Sequence, residues 1–160
     1  MIAVLQRVSS ARVTVASRVV GAIDAGLVVL VGAVTGDSTT DIEYVEKRVA
    51  TLRVFADEVG RMNRSVDEIG GAVLVVSQFT LVADTRKGRR PSFGRALAPN
   101  LAAPMIETLV ARLRARNLRV ETGEFGASMA VELVNDGPVT LVVDSRSTGR
   151  GRSVSSPRST

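Results

Sequence analysis

The chain is expected to be α+β: a curved, largely antiparallel β-sheet or partial barrel with two main helices on one face. Three observations predict this. Several runs are β-rich or alternate in polarity. Only two long segments carry an apolar stripe at helical spacing. The 160 residues, 45% of them hydrophobic, suit a single domain that can bury a real core.

The elements follow in chain order. Ile2 to Val15 alternates through Val4, Gln6 and Val8, then through Ala11, Val13 and Val15, which predicts a strand with a bulge or bend near Ser9-Ser10. Arg18 to Ile23 reads as its hairpin partner, and Gly26 to Val34 as a continuous buried strand. Gly36 to Thr39 is a loop that opens a helix. Thr40 and Glu43 have capping-box spacing there, and Ile42, Val45, Val49 and Leu52 form its apolar stripe. Asp57 to Gly71 is polar and punctuated by glycine, so loop, and Ala72 to Val82 is again β-rich.

Asp84 to Phe93 is a basic loop. A second helix spans roughly Asn100 to Arg116 on the stripe Ala102, Met105, Ile106, Leu109, Val110 and Leu113. Pro104 fits only if it lies in the first turn. Leu118 to Glu121, Ala127 to Val134 and Val139 to Val143 predict three more strands, the last two joined by a turn at Asn-Asp-Gly. Residues 1–145 thus form the domain, and the Arg/Ser/Gly-rich stretch 146–160 is expected to be a disordered tail.

Composition limits the chemistry. There is no His and no Cys. A Ser-His-Asp triad, a Cys nucleophile, an imidazole base, a thiolate zinc site and a disulfide framework are all excluded. Any catalysis must use hydroxyls, carboxylates, Lys, backbone N–H groups, or groups of the substrate. The carboxylates show no spacing for a metal cage or a glycosidase pair, so neither metal nor cofactor is expected. The net charge is +5, but Arg146, Arg150, Arg152 and Arg158 account for most of it, leaving the body nearly neutral. No apolar run approaches the about 18–20 residues of a membrane span, and the first residues lack a signal-peptide pattern, so a cytoplasmic protein is expected.

Three segments could carry function. Ser77-Gln78-Phe79-Thr80 places donors and acceptors at the end of an apolar run. On a straight strand they would face alternate sides, but a bend could bring them and their N–H groups to one cleft. Thr80 is a candidate nucleophile, with Lys87 the nearby candidate base. Arg86, Lys87, Arg89 and Arg90 lie within five residues and lead to Phe93, which suits a loop that tracks a phosphate backbone. Asn135 to Thr140 contains Gly137-Pro138, a place to find a cis peptide. The five aromatics, Tyr44, Phe55, Phe79, Phe93 and Phe125, are expected mostly to fill the core, with Phe79 and Phe93 flanking the basic loop.

Gln6-Arg7-Val8, Ser77 to Thr80, Asp84 to Phe93 and Asn135 to Thr140, in that order over about residues 1–145, resemble the bacterial D-aminoacyl-tRNA deacylases. The resemblance implies a homodimer that hydrolyses D-aminoacyl-tRNA and glycine misattached to tRNA, without a cofactor. It implies a cis Gly137-Pro138, in a motif with Val139 and Thr140, entering the partner's pocket. There its carbonyls would meet the substrate amino group and exclude an L side chain. Ser77, Gln78, Phe79 and Thr80 would line the pocket, with the Phe79 and Thr80 N–H groups holding the ester oxygen and the tRNA 2′-OH helping to activate water. Arg7 would support the Gly-Pro loop, and Met129 would lie near the terminal adenosine. The alternative is a non-catalytic nucleic-acid-binding protein on the same scaffold.

Overall fold

A computed structural model describes residues 1–147. The elements are β1 (Ile2–Val15), β2 (Arg18–Ile23), β3 (Gly26–Gly32), α1 (Thr39–Thr51), β4 (Phe55–Ala56), β5 (Met62–Arg64), β6 (Ala72–Ser77), a 3₁₀ turn (Phe79–Val82), α2 (Pro99–Ala115), β7 (Arg119–Thr122) and β8 (Ala130–Asp144). Six strands form one sheet in the order β2-β1-β3-β6-β7, with β8 also paired to β1. The β1–β2, β1–β3 and β1–β8 pairs are antiparallel, whereas β3–β6 and β6–β7 are parallel. The parallel pairs arise because α1 and α2 are the crossovers between them. The end strands β2 and β7 lie against each other, where a Cβ on Gly21 would collide with the Thr122 carbonyl oxygen, so the sheet is nearly closed.

The core has two parts. Ala3, Leu5, Leu27, Val29, Val31, Val73 and Val75 face α1 and α2. Val8, Ala11, Val13, Val28, Leu74 and Val76 fill the inside of the curl. Strands β3 and β6 are therefore covered on both faces, which explains their unbroken apolar runs. Strand β1 changes faces. Its register against β8 slips between Gln6 and Val8 and again between Val8 and Ser10. The bend near Ser9-Ser10 is present, but before it the buried residues are Ala3, Leu5 and then Val8, while Val4 and Gln6 are only half-buried. A slip of one residue turns a strand's side chains over, so the buried face changes along β1 where simple alternation would keep it constant.

Local boundaries also differ from the pattern. The N-cap of helix α1 lies two residues before the expected Thr40. Ser38 is the N-cap, and its N–H donates to the Asp41 carboxylate at 2.8 Å, so Asp41 closes the capping box rather than Glu43. Pro99 occupies the first turn of α2, and Pro104 lies inside the helix. Its missing N–H leaves the Asn100 carbonyl without its usual partner. The expected 57–71 loop contains β5, which pairs back onto β4 just before the loop as a small hairpin. Between the helices Glu46 is buried and pairs with Arg116, with Arg112 4.0 Å away, an acid that the apolar stripe did not anticipate. Among the described residues no helix is long and apolar enough to cross a membrane.

The chain ends are tied together. The Met1 ammonium is 2.7 Å from the Asp37 carboxylate, both fully buried, and donates to Ser145 Oγ at 2.8 Å. Ser145 Oγ donates to Asp41 at 2.7 Å. Arg146 donates to Asp37 at 2.9 Å and to the Thr35 carbonyl at 2.7 Å. Arg146 thus belongs to the folded body rather than to the expected tail, whose residues 148–160 lie outside the described residues.

Burial alone would push the Asp41 carboxyl up, but hydrogen bonds from Ser145 and Ser38 and the nearby Met1 ammonium outweigh it and hold the carboxyl below its ordinary range. A depressed native value contributes stability that is present above the unfolded value of about 4 and is lost as pH falls through the native value. Urea denaturation across this acid range should show a fall in stability that is smaller in Asp41→Asn; equal slopes would remove Asp41 from the acid response.

Candidate active site

The parallel pairing of β3 and β6 ends at Val31 and Ser77, and Gln78 N–H then donates to the Val31 carbonyl at 2.8 Å. Beyond it the chain does not continue as the strand expected to Val82. Gln78 adopts φ −145°, ψ 77°, and a 3₁₀ turn follows, closed by Leu81 N–H to the Gln78 carbonyl at 3.2 Å. The ladder ends because β3 runs out at Gly32, leaving Phe79 no strand to pair with. The turn replaces strict alternation and brings Ser77, Gln78 and Phe79 to one cleft of about 580 Å³. Gly32, Phe93, Phe125 and Met129 line the same cleft. Thr80 does not line it. Its hydroxyl accepts a hydrogen bond from the Gln78 side-chain amide. The Phe79 and Thr80 N–H groups, the first two of the turn, have no acceptor among the described residues.

Three of the five aromatics gather at this cleft rather than filling the core, while Phe55 lies in the core and Tyr44 packs against it. Phe79 is 57% exposed, Phe93 38% and Phe125 43%, and only Phe55 is buried. The Phe79 and Phe93 rings meet edge to face, centroids 5.1 Å apart at 70°. The two phenylalanines flank the basic loop as expected, and both rings are partly exposed at the cleft.

The basic loop is pinched at its base, where Asp84 and Ser92 exchange backbone hydrogen bonds of 2.8 and 2.9 Å. Arg86 folds back onto Asp84, its Nε donating at 2.8 Å. This pairing holds the Asp84 carboxyl well below the usual carboxylate range. Lys87, Arg89 and Arg90 are exposed on the loop. Of the four cations only Arg86 is therefore already neutralised. Lys87 makes no hydrogen bond to Thr80 among the described residues, whose hydroxyl is engaged by Gln78.

The Asn135–Thr140 segment is not a hairpin turn between two strands. Both its flanks pair with β1, as one strand β8 carrying a bulge: β1 advances from Gln6 to Val8 while β8 runs from Thr140 to Asn135. The turn signal was real, but β1 offered each flank a better partner than the other flank. The Gly137-Pro138 peptide is cis. Gly137 has φ +146°, and a Cβ there would lie 2.9 Å from the Val139 nitrogen and 3.0 Å from an Arg7 nitrogen, so only glycine fits.

Arg7 lies opposite the bulge and donates from Nε to the Asp136 carbonyl at 2.8 Å and from Nη1 to the Val54 carbonyl at 2.6 Å, with only 14% of its side chain exposed. It braces the loop. Sequence reasoning missed two further braces. Asn135 Oδ1 accepts the Val139 N–H at 2.8 Å, and its Nδ2 donates to the Val139 carbonyl at 3.2 Å and to Thr140 Oγ1 at 3.1 Å. Gln6 Nε2 donates to Thr140 Oγ1 at 3.3 Å. A side-chain amide at one end of a Gly-Pro segment and a Thr at the other was the available signal, but it was read only as turn propensity.

Within the chain, the structure brings Ser77, Gln78, Phe79, Phe93 and Met129 together, while Gly137, Pro138, Val139, Thr140 and Arg7 lie outside this cleft's lining. Asn135→Ala removes the acceptor of the half-buried Val139 N–H. It should lower stability by about 1–3 kcal/mol, read by urea denaturation; an unchanged midpoint would show that the bulge is held without this amide.

The comparisons with known proteins agree with one another. Residues 4–144 match the family model described as D-Tyr-tRNA(Tyr) deacylase. The chain is 57% identical over 145 residues to a D-aminoacyl-tRNA deacylase of Chloroflexus aurantiacus, covering 91% of each chain. It is 58% identical to that of Heliobacterium modesticaldum, covering 91% of this chain and 97% of the relative. A solved structure of c-Myc DNA Unwinding Element Binding Protein superposes with a TM-score of 0.85 at 37% identity, covering 90% of this chain and 98% of the other. The matched span takes in the 3₁₀ turn, the basic loop and the Gly-Pro bulge, and the chain belongs to the D-Tyr-tRNA(Tyr) deacylase family.

Proposed function

We propose that the protein hydrolyses the ester between a D-amino acid, or glycine, and the 3′ end of tRNA. The observation that carries this reading is the pair of unused N–H groups, Phe79 and Thr80, at the start of a turn beside an aromatic-lined cleft. As water adds to the ester carbonyl, negative charge grows on its oxygen, and two fixed donors stabilise that charge more than they stabilise the ester. The tetrahedral species then expels the ribose oxygen, which takes the proton released by the water. The terminal 2′-OH relays that proton, so the substrate supplies a group that the chain, which has no His, does not provide as an imidazole. The ester is intrinsically labile, so positioning supplies much of the rest. Gln78 holds the Thr80 hydroxyl, and Thr80 positions rather than attacks. Phe79, Phe93 and Met129 take the terminal adenosine. Lys87, Arg89 and Arg90 meet the tRNA backbone.

The active form is a homodimer in which Gly137-Pro138 of one protomer completes the other's cleft. Three features support this. The bulge does not line its own cleft. It is braced rigidly by Arg7 and Asn135. It stands on a 15-residue strand that, among the described residues, pairs only with β1 and exposes Val131, Val134 and Val142. In that arrangement the bulge carbonyls accept from the substrate α-ammonium and leave no space for an L side chain. Glycine has nothing to exclude. Acting on tRNA, the protein works in the cytoplasm.

Purified protein with chelator should release D-Tyr rapidly from D-Tyr-tRNA and leave L-Tyr-tRNA intact. Absence of release from both, with tRNA still bound, would instead favour a binding protein, the activity carried by the name of the 37%-identical structural relative. Lys87→Ala should mainly weaken tRNA binding and reduce its salt slope by about 1, and Arg86→Ala should do less because Asp84 already neutralises it. Normal affinity with no turnover in Lys87→Ala would make Lys87 the base of a Thr-Lys hydrolase.

A further inference from the structure

The geometry points to Gly32 as a positioning residue for this hydrolysis: its missing side chain lets the Gln78–Val82 segment close against β3 and sets the direction of the Phe79 N–H. The inference rests on the reading that the Phe79 and Thr80 N–H groups hold the ester oxygen. Gly32 is the last residue of β3 and pairs with Ile2 on its β1 edge. On its other edge the β6 ladder has just ended, and the Gln78 segment crosses over it. A Cβ on Gly32 would lie 2.7 Å from the Gln78 carbonyl oxygen and 3.1 Å from Val82 Cγ2. The first contact is with backbone, which cannot swing aside as a flexible side chain does.

The consequence for the cleft is direct. The Gln78 carbonyl and the Phe79 N–H are opposite ends of one planar peptide, so pushing the oxygen away rotates the N–H with it. The turn has no slack to absorb the push. Gln78 N–H is tied to Val31 at 2.8 Å, the Gln78 carbonyl also accepts the Leu81 N–H, and Val82 is buried. Gly32 is not among the residues with positive φ, so its own backbone tolerates alanine and any effect is transmitted through the contact. The atoms nearest that Cβ belong to Gln78 and Val82, and Phe93 and Met129 stand on other segments of the cleft wall, so positioning of the ester is affected more than binding of the nucleotide.

The test compares the full chain and Gly32→Ala in D-Tyr-tRNA hydrolysis, with amide NMR of both. We expect kcat to fall about tenfold or more with KM within about twofold, and the Phe79 and Thr80 amide resonances to move. A folded Gly32→Ala with parental kcat overturns the inference. If Gly32→Ala does not fold, Val82→Ala is compared with the Gly32→Ala/Val82→Ala double variant, since trimming Val82 gives the turn room to retreat. The same loss of kcat in the double variant supports the inference, and equal rates overturn it. A parent protein that releases no D-Tyr sinks the deacylase reading instead. The amide resonances then decide Gly32 alone: moved signals uphold its control of the turn, and unmoved signals end it.

Discussion

Strand β1 is paired along both edges for most of its 14 residues, with β2 and β3 on one side and β8 on the other. Because a pleated backbone offers only alternate groups to each edge, every irregularity in one partner must be answered in the other. The slips at Gln6–Val8 and Val8–Ser10 are that answer. They let β1 move from the helix-facing core to the inside of the curl, and they open the place where β8 loops out. Arg7 falls opposite this loop, with its guanidinium drawn in to the Asp136 and Val54 carbonyls. The Gly-Pro bulge, its brace and the switch between two cores are thus one feature of strand pairing.

A second constraint acts at the end of β6. A parallel strand buried on both faces cannot carry polar chemistry along its length, so function collects where its ladder stops. Here β3 ends one residue past the last pair, and the chain turns at once into a 3₁₀ segment. That turn has two donors without an acceptor among the described residues, and the cleft beside it is walled by exposed phenylalanines and Met129. Lacking imidazole and thiol, the chain presents backbone amides, whose direction is set by packing rather than by protonation.

The charges sort by the same logic of partners. Most arginines away from the 84–93 loop that are involved in ion pairs have neighbouring acids: Arg12 with Glu132, Arg18 with Glu124, Arg116 with Glu46 and Arg146 with Asp37. The exposed pairs contribute little to stability. Near-equal numbers of acids and bases leave the body nearly neutral, and the pairs hold many of those charges together, so the cations beside Phe93 stand out as a local positive field next to the cleft.

Elements whose identity depends on local periodicity were legible in the sequence: β1 to β3, the apolar stripes of α1 and α2, and the bend near Ser9-Ser10. Ser77 to Thr80 and Asn135 to Thr140 were legible as candidate segments, because they carry polar and Gly-Pro residues where burial or pairing would otherwise be plain. What the sequence could not determine was set by partners distant along the chain. Asn-Asp-Gly promises a hairpin wherever it occurs, and only the competition of β1 for both flanks makes it a bulge. Phe79, Phe93 and Phe125 are apolar enough for any core, and only the crossing of the turn, the loop and the β7–β8 connection places them around a cleft. Glu46 became a buried residue only when α2 brought Arg116 and Arg112 against it. Local preferences are worth at most about 1 kcal/mol per residue, whereas the pairing and packing that override them act over whole strands. The chain therefore determined which segments would matter, and tertiary structure decided which faces and which N–H groups they present.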